Sequence, residues 1–434
     1  MSVIDKIIDS LRINRLSGDK VIWTIVFLLS LFSIALVYSS SSSLAYKEHS
    51  TNFSFLVKQL YFTVMGLIVL VACYYIPLGW YRALIGPIFW LTVILLAITP
   101  VIGMEVNGAK RWISLGIFSF QPTELAKIAI VLYLARVIEV NKFTTFKSFF
   151  LKLVVPIGIV CILIMIGSMS AALFVGLICF LILVIADMKW SYIFKAMGIG
   201  LAAITLCILL HLAFNIFPRM DTAFSRIEKK IDRKEVTTDL TAEQKQKIAD
   251  ETFQEDMAKV AISSVGILGK GPGKSTQRYF LPHPYSDYIY TIIIEEYGLI
   301  FGGCFILMLY LWFLFRCVTL VKRCAKVFTA LTVGGLGLLI TIQAFLHILV
   351  NVGIFPVTGH TLPLVSLGGT SLLIMSCAFG IILSVSRTID MDSAIVKENT
   401  AEKNTAEENT AEESTAKVTQ NNEYEILATN GEFK

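Results

Sequence analysis

Asp287 stands in the run Leu281-Pro282-His283-Pro284-Tyr285-Ser286-Asp287-Tyr288-Ile289-Tyr290, at the entrance to an apolar stretch that continues to Glu295-Glu296-Tyr297-Gly298. A carboxylate at the seam between a polar loop and an apolar span meets both water and hydrocarbon. That suits a general base acting on an amphiphilic substrate. The competing reading is helix capping by Ser286 or Asp287. Glu295 and Glu296 follow about 12–14 Å further along a helix that rises 1.5 Å per residue. Carboxylates at that depth face a bundle interior or a cavity. A structural role, paired with Lys127 or Arg136, is favoured over a catalytic one.

Three further segments carry polar chemistry. Lys110 and Arg111, in Asn107-Gly-Ala-Lys-Arg-Trp112, form a basic pair. They read either as a clamp for phosphate oxygens, with Arg supplying a bidentate fork, or as interfacial anchors beside Trp112. In Gln121-Pro-Thr-Glu124-Leu-Ala-Lys127, Pro122 marks a helix start and Thr123 is the candidate cap. Glu124 and Lys127 lie at i,i+3, the spacing of a buried ion pair. Segment 266–278 is rich in Gly and basic residues, but it is not a Walker A loop, because the first Gly of that motif would fall at Leu268. It reads as a basic loop for an anionic lipid-linked substrate or as a plain Gly-rich turn. Segment 343–371 contains Gln343, His347, Asn351 and His360 among Pro and Gly residues. That punctuation predicts a re-entrant or broken-helix loop, tolerated at membrane depth only where it lines protein or a water-filled cavity. His360 reads as a satisfied loop histidine in preference to a proton carrier.

The elements that position these residues are apolar. Of 434 residues, 56% are hydrophobic and 16% charged, against roughly 25% charged in a soluble domain. Mean hydropathy is +0.72. A soluble globule, a disordered chain and a disulfide scaffold are excluded, and an all-α polytopic membrane protein remains. About ten spans are expected, near 21–43, 54–76, 80–103, 121–139, 148–167, 169–187, 193–215, 286–316, 328–355 and 362–387. Lys and Arg concentrate in alternate short loops, which places both termini in the cytoplasm. One large extracytoplasmic loop, 216–285, then separates the seventh and eighth spans, and its 225–259 stretch reads as a helical excursion. Residues 1–20 form an amphipathic leader. Residues 389–434 hold 11 acidic and 4 basic residues and repeat Asn-Thr-Ala-Glu, which reads as a disordered acidic tail. The net charge of +5 therefore leaves +12 on the rest of the chain, suited to anionic lipid or pyrophosphate and not to nucleic acid, since the basic residues are scattered between spans. The eight cysteines form no Cys-x-x-Cys pair and read as small hydrophobes.

In order and spacing, these blocks resemble the SEDS family (shape, elongation, division and sporulation), whose members include FtsW and RodA. The match rests on Asn107–Trp112, Gln121–Lys127, Gly269–Gly273 with Leu281-Pro282, Ser286–Gly298 and Pro356–Ser371, and it covers the membrane body 21–388. The resemblance implies a peptidoglycan glycosyltransferase that polymerises lipid II outside the cytoplasmic membrane, with Asp287 as the general base and undecaprenyl pyrophosphate leaving. Charge and side of the membrane, and not the motifs, place Lys110, Arg111, Arg219 and Arg278 at the pyrophosphate. Trp112, Gln277 and Ser366 complete the substrate-binding set, and Glu124, Lys127, Glu295 and Glu296 are polar residues of the cavity. The resemblance also implies a class B penicillin-binding protein as partner, with other divisome proteins at the septum. A divalent cation (Mg or Mn) is compatible with this chemistry, although no metal-ligand cluster is legible. Three departures stand out. Gly167-Ser168-Met169-Ser170 replaces an acidic Pro-Asp-x-Gly motif, Leu367 replaces a Tyr, and His347 stands where Asn is common. The Thr361-Leu-Pro363-Leu phrasing favours the FtsW branch over RodA. A lipid II flippase and a non-catalytic scaffold are the competing classes.

Overall fold

A computed structural model of the chain describes residues 17–40, 52–106, 109–114, 116, 119–214, 253–254, 256–281, 284–356 and 358–391. The leader up to residue 16, the loop residues 215–252 with Arg219, and the acidic tail from 392 lie outside the described residues. Each of the ten expected segments contains a helix: α1 (Lys20–Ser40), α2 (Asn52–Tyr75), α3 (Leu78–Ile102), α4 (Pro122–Val140), α5 (Phe146–Gly167), α6 (Met169–Ile185), α7 (Trp190–Phe214), α8 (Ile289–Arg323), α9 (Val327–Asn351) and α10 (Thr370–Met391). Seven of these, α1, α2, α3, α5, α8, α9 and α10, are long and apolar enough to cross a membrane. Helix α4 falls outside that group, because Glu124, Lys127, Arg136 and Glu139 interrupt its apolar run.

Helices α4, α9 and α10 form the centre. Helix α4 packs on α3, α6 and α9, while α9 also meets α6 and α8. In α4 the whole run Ala126–Leu132 is buried, which a single apolar stripe would not achieve. Helix α10 packs against α2 at small residues. A Cβ on Gly380 would lie 2.4 Å from the Leu70 carbonyl oxygen, so only glycine admits that approach. Helix α1 begins at Asp19, whose Oδ1 accepts from the Val21 and Ile22 amides, as an N-cap does. The other oxygen of Asp19 pairs with Arg316 of α8 at 2.6 Å, and the Gly18 amide donates to Asp390 of α10. The two ends of the membrane body are thereby clasped together. The seven described cysteines are free thiols.

Three features differ from the expected all-helical plan. Residues 104–120 form a small antiparallel sheet of β1 (Met104–Val106), β2 (Ala109–Ser114) and β3 (Ser119–Phe120). Its alternation is short and lies between two apolar helices, so it has no signal of its own. The Pro/Gly-rich stretch 358–369 is not helical, and α10 starts only at Thr370. The stretch turns inward, as the re-entrant reading predicts: Leu362, Leu364, Val365 and Ser366 are buried. Finally, α8 is broken at Gly298, where φ is 82° and ψ is 175°. That conformation favours glycine, and a Cβ there would lie 2.2 Å from the Ile267 carbonyl oxygen. A π-helical turn, Leu299–Cys304, follows the break.

Candidate active site

Asp287 sits half-buried in a turn, 284–288, that leads into α8. The N-cap position falls on Tyr288, one residue later than the capping alternative placed it, and Tyr288 makes no side-chain cap bond. The turn is held through its backbone instead. The Leu367 amide donates to the Tyr285 carbonyl at 3.0 Å. The Ser366 hydroxyl donates to the Ser286 carbonyl at 2.9 Å and accepts from the Leu362 amide at 2.9 Å. The Asn351 amide group donates to the Asp287 carbonyl at 2.9 Å. The re-entrant loop and α9 thus fix the carboxylate-bearing turn from two sides. Beneath it, Ala258 of the short helix 256–263 packs with Leu281, Tyr288 and Ile292. Ser366 therefore spends its hydroxyl on loop geometry.

A stripe of polar residues on α9 links this turn to the ion pair on α4. Gln343, His347 and Asn351 are spaced at i, i+4 and i+8, and so share one helix face. All three are buried. The Lys127 ammonium, fully buried, donates to Glu124 at 2.7 Å and to Gln343 at 2.9 Å, and it lies 5.5 Å from the Phe174 ring centroid. Gln343 also donates to the Thr361 carbonyl, and Ser371 reaches Glu124 at 3.3 Å. The Glu124–Lys127 pair is the one that the i,i+3 spacing predicts, and it ties α4, α9, α10 and the re-entrant loop together. One turn further along α9, the His347 Nδ1–H donates to the His360 carbonyl at 2.8 Å. The Nε2 atoms of His347 and His360 are buried and without a hydrogen-bond partner among the described residues. The unpartnered Nε2 of His360 departs from the satisfied loop histidine that the sequence reading favours.

Glu295 and Glu296 have partners other than those expected. Lys127 is taken by Glu124 and Gln343, while Arg136 pairs with Glu139 at 2.7 Å. The break at Gly298 leaves the Glu295 and Glu296 carbonyls without their helical donors. They accept instead from the Lys270 and Gly271 amides, each at 2.9 Å. The Glu295 carboxylate then collects Lys270 Nζ at 2.7 Å, the Ser275 hydroxyl, and the Thr276 amide and hydroxyl at 2.9 Å. These donors overcome the cost of burying the carboxylate. Glu296 accepts from Ser39 at the end of α1. The Gly-rich segment is thus a loop docked on a broken helix, not a loose basic arm. Replacing Glu295 by Ala removes one charged pair and several charge-assisted hydrogen bonds, each worth about 1.5–3 kcal/mol. Trypsin is expected to cut after Lys270, Lys274 and Arg278 at least about tenfold faster than in wild type, since about 1.4 kcal/mol of easier opening is tenfold in the open population. Equal cleavage rates would contradict the docking role.

The basic residues occupy two places. Lys110, Arg111 and Trp112 lie on β2, with Lys110 exposed and the other two half-buried. Arg111 reaches across to α5, where a Cβ on Gly167 would lie 3.1 Å from its Cγ. Arg278 donates to the Ser39 carbonyl at 2.9 Å and to the Tyr279 hydroxyl at 3.1 Å. The neighbouring Gln277 has a buried Oε1 with no hydrogen-bond partner among the described residues. Asn351 had no role in the sequence reading. Its signal is the i,i+4,i+8 polar row on an otherwise apolar helix.

A family model described as a cell cycle protein, FtsW/RodA/SpoVE, matches residues 19–390, the membrane body and the clasp at its ends. The chain belongs to this family. It is a SEDS protein of the FtsW-like kind and, with its several apolar helices, a multi-pass membrane protein. Among its relatives is a probable peptidoglycan glycosyltransferase FtsW of Geobacter sp. (strain M18), 30% identical over 381 residues, covering 86% of this chain and 98% of the relative. Another is the stage V sporulation protein E of Bacillus subtilis (strain 168), 30% identical with the same coverage. The rod shape determining protein RodA of Thermus thermophilus shares the fold at a TM-score of 0.60 and 24% identity, over 86% of this chain and 98% of that one. A chain from a peptidoglycan synthase complex that coordinates polymerization and crosslinking matches at a TM-score of 0.63 and 24% identity, with the same coverage.

Proposed function

We propose that this SEDS protein is a peptidoglycan glycosyltransferase that polymerises lipid II, with Asp287 as the general base. The observation that carries the reading is the turn 284–288, which presents one half-buried carboxylate and is held by backbone bonds from α9 and the re-entrant loop. The relatives named as peptidoglycan glycosyltransferases support the reaction class. In the reaction, the Asp287 carboxylate takes the proton of the sugar 4-hydroxyl of the acceptor lipid II. The freed oxygen attacks the anomeric carbon of the donor strand. The bond from that carbon to the pyrophosphate breaks, undecaprenyl pyrophosphate leaves with the bonding electrons, and the anomeric centre inverts. Lys110 and Arg111, with Arg219 and Arg278, neutralise the departing pyrophosphate. Trp112 and Gln277 border the substrate.

The topology that serves this chemistry has ten spans, both termini in the cytoplasm, and the 216–285 loop and Asp287 on the extracytoplasmic side of the bacterial inner membrane. Division is the proposed setting, with a class B penicillin-binding protein crosslinking the strands; elongation, as in RodA, is the runner-up. Among the described residues no group of three or more His, Cys, Asp or Glu converges on a metal position. A divalent cation, Mg or Mn, stays part of the proposal, since such an ion is held by one or two carboxylates together with the substrate's phosphates; no step is routed through one. The competing class is a lipid II transporter, for which the buried Glu124–Lys127 pair would line the path. Purified wild-type protein, given lipid II together with its class B partner, is expected to yield glycan strands. Movement of lipid II across vesicle membranes with no strands formed would overturn the polymerase reading.

A further inference from the structure

We propose that Asn351 is the positioning residue that sets the Asp287 turn, an inference that rests on the reading of Asp287 as the base. Asn351 is fully buried at the end of α9. Its amide uses every hydrogen-bonding function it has. The Oδ1 atom accepts from the Thr291 amide at 3.0 Å and the Thr291 hydroxyl at 2.9 Å. The Nδ2 group donates to the Asp287 carbonyl and to the His347 carbonyl, each at 2.9 Å. A flipped amide would set donor against donor and oxygen against oxygen, so one orientation satisfies the site.

This arrangement replaces a missing cap. Thr291 is the third residue of the α8 helix, and its amide is one that an N-cap side chain ordinarily satisfies. The cap residue Tyr288 makes no such bond. Asn351 supplies the acceptor from another helix and, with the same amide group, grips the carbonyl of the residue that bears the reacting carboxylate. The helix start and the position of Asp287 are therefore set by one side chain. That side chain is itself locked to its own helix through His347. Ser366 provides the second hold, one residue earlier at the Ser286 carbonyl.

The test compares Asn351→Ala, Ser366→Ala and Thr291→Val in the full-length chain, with Asp287→Asn alongside. Lipid II polymerisation is read as maximal rate and half-saturating lipid II concentration, and folding as the thermal midpoint. A displacement of about 1 Å at a reacting group costs on the order of 100-fold. Asn351→Ala is therefore expected to lower the maximal rate about 30- to 100-fold, with half-saturation within about threefold of wild type. Ser366→Ala falls about three- to tenfold. Thr291→Val removes one bond of Asn351 and leaves the grip on Asp287, so it keeps the maximal rate within about threefold. A purely structural role would make Asn351→Ala and Thr291→Val alike in rate once their thermal midpoints are matched, and that result overturns the proposal. So does a loss confined to half-saturation. If Asn351→Ala does not fold, Asn351→Asp decides, since it keeps an acceptor for Thr291 and loses the donor to the Asp287 carbonyl: an unchanged maximal rate overturns the proposal, a lowered one with the thermal midpoint kept supports it. An inactive Asp287→Asn with a wild-type Asn351→Ala rejects the positioning role alone, whereas an active Asp287→Asn rejects the base and the positioning role together.

Discussion

Replacing Lys127 by Met is expected to destabilise the folded protein by about 3–5 kcal/mol, the cost of leaving one member of a buried ion pair without the other. The Lys127 side chain has no exposure, and Glu124 is nearly as enclosed. Without the ammonium, the Glu124 carboxylate keeps, among the described residues, the Ser371 hydroxyl at 3.3 Å, and the Gln343 oxygen loses its Lys127 donor. Gln343 in turn holds the Thr361 carbonyl of the re-entrant loop, so the loop loosens with the pair. Because the penalty comes from the orphaned charge, adding Glu124→Gln to Lys127→Met is expected to restore most of the loss. Thermal unfolding of the purified variants checks both statements. Equal midpoints for wild type and Lys127→Met would show that the pair contributes nothing to the bundle.

Replacing Asp287 by Asn is expected to lower the polymerisation rate about 10³-fold, within the range that a positioned general base contributes. An amide is nearly isosteric with the carboxylate but cannot take up the proton. The turn is held by the carbonyls of Tyr285, Ser286 and Asp287, so the substitution leaves its backbone anchors in place and the thermal midpoint close to wild type. Asp287→Glu keeps the base but carries it one methylene further from its set position. It is expected to retain a rate between the two. Initial rates of strand formation by the three chains check the order.

The sequence made the helices legible because each is a separate apolar run, and it made the Glu124–Lys127 pair legible because both partners lie on one turn of one helix. Asp287 stands out in the sequence because it is a carboxylate where a polar loop enters an apolar span. What could not be read was non-local. Glu295 meets Lys270, Ser275 and Thr276 only because Gly298 breaks α8 and frees two carbonyls for the loop. Within an apolar run, a single glycine does not distinguish a break from a close helix contact, as Gly380 demonstrates. Helix α4 starts behind Gln121 as N-cap, not Thr123, because Pro122 takes the first helical position. The role of Asn351 depends on a turn 60 residues and more away in the chain, which no spacing rule connects.

The most direct test of Asp287 as the base of a lipid II polymerase uses labelled lipid II in vesicles holding either wild type or Asp287→Asn, each with the class B partner. Strand length and transbilayer movement of lipid II are read from the same sample. The account predicts glycan strands from wild type and none above background from Asp287→Asn, at matched protein levels and thermal midpoints. Strands of equal amount from both chains, or lipid movement without strands from wild type, would contradict it.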